Sequence, residues 1–122
     1  MNSVDDVLKN KNKLIREYFL EEMKEKEIDD IDISYVILRK TDIEAVIDNQ
    51  VLLLTEITDF KYEGHKATVI YEIDRMKSKM DFDLLDEEVA SKIKIFIDEV
   101  KKCKQKAFLR YFFSVESLKS KK

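Results

Sequence analysis

In 122 residues this chain has one glycine, Gly64, and no proline. Glycine takes left-handed backbone without strain and lets backbone approach a ligand closely, so its scarcity bears on both turns and chemistry. "EGH", residues 63–65, reads as a hairpin tip, and Asp48-Asn49 as a second turn. The same scarcity removes whole classes of enzyme. GxGxxG fingerprints, Walker loops and GxSxG elbows each need at least two glycines at fixed spacing. His65 is the only histidine, which excludes HExxH metal sites and multi-histidine catalysis. Beside Gly64 and Lys66 it reads as a solvated turn residue.

Hydrophobic periodicity fills in the elements. Val4, Val7, Leu8, Leu14, Ile15, Tyr18, Phe19 and Met23 share one broad face at helical spacing. A helix over about 3–27 follows, with Ser3 as N-cap and Asp5 and Asp6 in the first turn. From Asp29 the period drops to two. Ile31, Ile33, Tyr35 and Ile37 alternate with Asp32, Ser34, Val36 and Leu38, and the pattern resumes at Ile43, Ala45 and Ile47. "VLLLTEITDFKY" and "KATVIYEID" flank the hairpin tip. In "KMDFDLL", Met80, Phe82 and Leu84 alternate with Lys79, Asp81 and Asp83. After the acids Asp86 to Glu88, the residues Val89, Ile93, Ile97, Val100, Ala107, Tyr111, Val115 and Leu118 hold one helical phase, so a long helix spans about 86–118.

The expected fold is therefore α+β: an N-terminal helix, a four- to five-stranded antiparallel meander over about 31–84, and a long C-terminal helix. Residues 1–122 form a single domain on this reading, because 44% hydrophobic content in a chain of this length supports a core and no composition break marks a linker. No run of 18 uncharged apolar residues is present, which predicts no membrane span. The charged start "MNSVDDVLKNKNKLIREYF" lacks an apolar signal core, and Cys103 stands alone. Both point to a reducing, cytoplasmic location.

Charge is distributed unevenly. Residues 101–122 hold eight basic residues against one acid, Glu116, for +7; the first 100 residues hold the other 15 basic and 25 acidic residues, for −10. Within that basic segment lies "FLRYFF", residues 108–113. On a helical projection Phe108 shares the stripe with Ala107, Tyr111, Val115 and Leu118, whereas Leu109 and Phe113 point away from it, with Phe112 between. A sheet packed on one side leaves Leu109, Phe112 and Phe113 as a second apolar face. The N-terminal helix, another copy of the chain or a different partner must cover it. Lys101, Lys102, Lys104, Lys106 and Arg110, interleaved with rings, are the residue types that meet phosphates or an acidic partner.

Catalytic constellations are few. Asp59-Phe60-Lys61 at a strand end, with Asp48 upstream, resembles in outline the PD-(D/E)xK metal-dependent nucleases, in which carboxylates hold a divalent ion. Three acid-x-Lys triplets occur in the chain, against about four expected by chance from its composition. "DDIDIS" and "DFDLLDEE" lack the glycine and spacing of a calcium loop. The sequence therefore predicts a non-catalytic protein-interaction module without cofactors, homodimeric or bound to another protein. A phage or mobile-element inhibitor or adaptor of a host complex has this size and character. A small nucleic-acid-binding regulator using the basic segment is the alternative, and a nuclease-like fold the third.

Overall fold

Two pairs of left-handed residues fix the strand registers. Asp48 and Asn49 have φ of 51° and 63°, and Asp74 and Arg75 have φ of 52° and 69°. Successive positive-φ residues reverse a chain with the twist that paired strands need. The computed structural model describes residues 9–120. Its elements are α1 (Lys11–Lys24), β1 (Ile31–Asp32), β2 (Val36–Leu38), β3 (Glu44–Ile47), β4 (Gln50–Leu53), a 3₁₀ turn (Leu54–Glu56), β5 (Ile57–Glu63), β6 (Lys66–Ile73), β7 (Met76–Asp83) and α2 (Glu87–Ser120). The expected cap at Ser3, with Asp5 and Asp6, lies outside the described residues.

The α+β order of helix, antiparallel strands and long helix is as expected, but among the described residues the strands number seven and divide into two sheets, β1-β2-β3-β4 and β5-β6-β7. Two local events cause this. In 31–38 the chain turns back on itself, pairing Ile31 with Leu38. Ile31, Val36 and Leu38 are then the buried residues, so Val36 and Leu38 lie on the core side, opposite to their expected phase. Apolar residues at both parities left that phase unspecified. The second event splits "VLLLTEITDFKY". Glu56 Oε1 accepts the Leu53 N–H at 2.8 Å and the Leu54 N–H donates to Ile43 at 2.7 Å, which winds the 3₁₀ turn and buries Leu54.

Both sheets and α2 share one core, with Phe19, Phe60 and Phe96 among its largest fully buried side chains. The two helices run antiparallel. Tyr18 Oη lies 3.3 Å from Ser114 Oγ, Arg110 reaches Glu22 at 3.7 Å, and Lys26 reaches Glu99 at 3.3 Å. At about 1.5 Å per residue the 34 residues of α2 span about 50 Å, so its last turns overhang the sheets. There Tyr111 and Val115 pack on Leu14, Ile15 and Tyr18 of α1. Among the described residues no helix is long and apolar enough to cross a membrane.

Candidate functional site

The overhanging end of α2 has two faces with different fates. Ala107, Tyr111 and Val115 are buried, as their phase requires. Phe108, Leu109, Phe112 and Phe113 are 50–63% exposed. Phe108 is the departure from expectation. It falls at the boundary of the stripe, where Lys11 Nζ stands 5.4 Å from its ring. Residues 108 and 112, and 109 and 113, are each one helical turn apart and form a continuous apolar strip. The Phe112 and Phe113 rings meet edge-on at 5.9 Å. Beside Phe113, a shallow groove of about 540 Å³ runs between the helices, lined by Leu14, Tyr18, Arg110 and Leu118.

Five of the eight basic residues of this segment, from Lys101 to Arg110, are distributed by the tertiary structure among separate tasks. Arg110 bonds Glu21 at 2.6 Å and lies 4.3 Å above the Tyr18 ring; Lys106 stands 4.0 Å from Glu22. Lys102 pairs with Glu99 one turn back, and Lys101 bonds Asp59 across to β5 at 3.3 Å. Lys104 donates to the Ile57 carbonyl at 2.8 Å, and burial lowers its pKa, the nearby charge of Glu72 opposing only part of that effect. The acids of α1 and β5 thus face much of the +7 segment. A phosphate would have to compete with partners already in place.

Asp59, the carboxylate of the nuclease-like triplet, is held the same way. Its Oδ1 accepts from the Phe60 N–H at 2.9 Å and lies 3.3 Å from Lys101 and 3.5 Å from Lys94. Burial works against its ionisation, but the Phe60 N–H and the Lys101 and Lys94 ammoniums outweigh that and keep the carboxyl below its ordinary range. Asp48 sits in the β3–β4 turn of the other sheet. Among the described residues no three His, Cys, Asp or Glu side chains converge as metal ligands would. Cys103 is buried against the core, and burial raises its thiol pKa. No protein family, curated protein or solved structure matches the chain.

Sequence reasoning passed over the lysine ladder on β5. Lys94 Nζ donates to the Phe60 carbonyl at 3.1 Å, as Lys104 does to that of Ile57, so α2 closes the edge of β5 that has no neighbouring strand among the described residues. Its sequence signal is the spacing 94, 101, 104, which keeps three lysines on one helix face.

Proposed function

We propose that this chain is a non-catalytic protein-interaction module whose docking element is the overhanging end of α2. The observation that carries the reading is the continuous exposure of Leu109, Phe112 and Phe113, flanked by Phe108, on a helix whose opposite face is anchored by α1. Apolar strips of this kind, rimmed by polar residues, are the usual form of a protein-binding face. Exposed Lys102 and Lys119 stand along the rim, each held only by a carboxylate one turn away on the same helix. The complementary occupant is a partner protein's amphipathic helix, apolar along one stripe and flanked by Asp and Glu. Binding there would inhibit or adapt that partner.

The test uses synthetic helical peptides with one leucine stripe and either acidic or basic flanks, followed by fluorescence anisotropy. The acidic-flanked peptide binds, and Leu109→Glu with Phe113→Lys weakens it by about tenfold or more, 1.4 kcal/mol for each factor of ten. Equal binding of the two peptides, or no effect of the double substitution, would refute the reading. Labelled DNA and RNA are measured alongside, with binding expected only at low salt. Tight nucleic-acid binding that persists at physiological salt would put the regulator reading in its place.

A further inference from the structure

The two outer edges of the β5-β6-β7 sheet are treated differently. Lysines of α2 cover the edge at β5, whereas among the described residues β7 ends the sheet with β6 as its only strand neighbour. The parity of that open edge follows from the hairpin. Asp74 and Arg75 form a two-residue turn, so Ile73 and Met76 are a hydrogen-bonded pair, as are His65 and Leu84, whose N–H donates to His65 at 2.6 Å. Even-numbered residues of β7 therefore turn their backbone groups toward β6. Lys77, Lys79, Asp81 and Asp83 turn theirs outward, to the free edge.

Side chains follow the same parity. Phe82 is buried and Met80 packs on the core, while the odd residues face solvent on the other side of the sheet. Along that face the order is Lys77, Lys79, Asp81, Asp83. Reversed, it is its own complement. In an antiparallel pairing of β7 with a second β7 about a two-fold axis through Met80, Lys79 lies opposite Asp81 and Lys77 opposite Asp83, each pair made twice. These are also the residues whose outward N–H and C=O groups must bond across the edge. Sliding by two residues in one direction puts Lys79 against Lys79, and in the other Asp81 against Asp81. A one-residue slip mismatches the backbone groups altogether. On the core side Met80 meets Met80, and Met76, 74% exposed, comes opposite Leu84.

We infer that the open edge of β7 is a self-pairing site, through which two copies of this chain join antiparallel about Met80 into one continuous six-stranded sheet. Charge complementarity selects both the occupant and the register, since opposite charges directly across a strand pair attract and like charges repel. Part of the pattern also serves within the chain, where Glu72 lies opposite Lys77, Lys66 opposite Asp83, and Thr68 donates to Asp81 at 2.7 Å. Lys79 faces Ile70 there, so its charge has no such partner on β6. The site is independent of the α2 strip, which such a dimer would present in two copies.

The full chain is examined by light scattering over a concentration series, with circular dichroism of every variant. The wild type reaches twice 14.5 kDa. Lys77→Asp with Lys79→Asp, and Asp81→Lys with Asp83→Lys, are each monomeric, and mixing the two restores a dimer detectable by native mass spectrometry. Met80→Cys forms an intermolecular disulfide under mild oxidation, because a non-hydrogen-bonded pair sets the Cα atoms about 4.5 Å apart, within disulfide reach. Ser78→Cys does not, because its symmetry mate lies about 14 Å along the strand. Leu109→Glu with Phe113→Lys stays dimeric. A monomeric wild type at its highest soluble concentration would overturn the inference, as would a dimer that survives both charge reversals or is lost in the α2 variant. So would Ser78→Cys cross-linking as readily as Met80→Cys. If the charge-reversed strands fail to fold, the two cysteine variants decide alone.

Discussion

Lys104 Nζ donates a 2.8 Å hydrogen bond to the carbonyl oxygen of Ile57, fastening α2 to the free edge of β5. Ile57 is fully buried and water has little access to that oxygen. Lys104→Met keeps most of the apolar stem and removes the donor. Stability should fall by about 1–3 kcal/mol, the cost of leaving a buried acceptor unpaired. Lys102→Met, whose ammonium is exposed and bound only to Glu99 on its own helix, should change stability by less than about 0.5 kcal/mol. Urea unfolding of the two variants checks the difference.

Asp59 gives a pH dependence of definite sign. Its folded-state pKa is below the ordinary value of 3.8, so the native state binds protons less readily than the unfolded chain. The stabilisation is fully present above 3.8 and is lost as pH falls through the folded value. Asp59→Asn should lower stability by about 1 kcal/mol at neutral pH and leave a flatter acid limb. Thermal midpoints of the two proteins, measured from neutral pH down to acid, should converge at the low end.

Buried and exposed faces of α2 separate under charge substitution. Ile97 is fully buried and Tyr111 nearly so, and Ile97→Glu or Tyr111→Glu should unfold the chain, since an unpaired buried charge costs several kcal/mol, about the net stability of a small domain. Leu109→Glu with Phe113→Lys should leave the helical signal and thermal midpoint nearly unchanged. Circular dichroism distinguishes them directly.

Turn residues offer a test with two signs. Arg75 holds φ of 69° with a full side chain, and Arg75→Gly should raise stability by about 1 kcal/mol through relief of left-handed strain. At Gly64, φ is +60° and a Cβ would meet nothing within 4 Å. Gly64→Ala should therefore cost about 1 kcal/mol through backbone conformation alone. Denaturant midpoints of the two variants should move in opposite directions.

Local rules sufficed where neighbours in sequence make the structure. The helical phase from Val89 to Leu118, the turns at Asp48-Asn49 and Gly64, and the alternation of Met80, Phe82 and Leu84 follow from period and backbone preference. The exposure of Leu109 and Phe113 follows from the same projection. Other features depended on which distant surfaces meet. The sequence shows a +7 segment, but α1 lies antiparallel beside it and sets Glu21 and Glu22 against Arg110 and Lys106, while β5 brings Asp59 to Lys101. Linear charge counting cannot find these pairs, because Coulomb attraction acts over a few ångströms of space between residues far apart in the chain. The phase of Val36 and Leu38 was misread for a related reason: both parities of 35–38 are apolar, and the reversal that pairs Ile31 with Leu38, with the core offered by the second sheet and α2, decided which side went in.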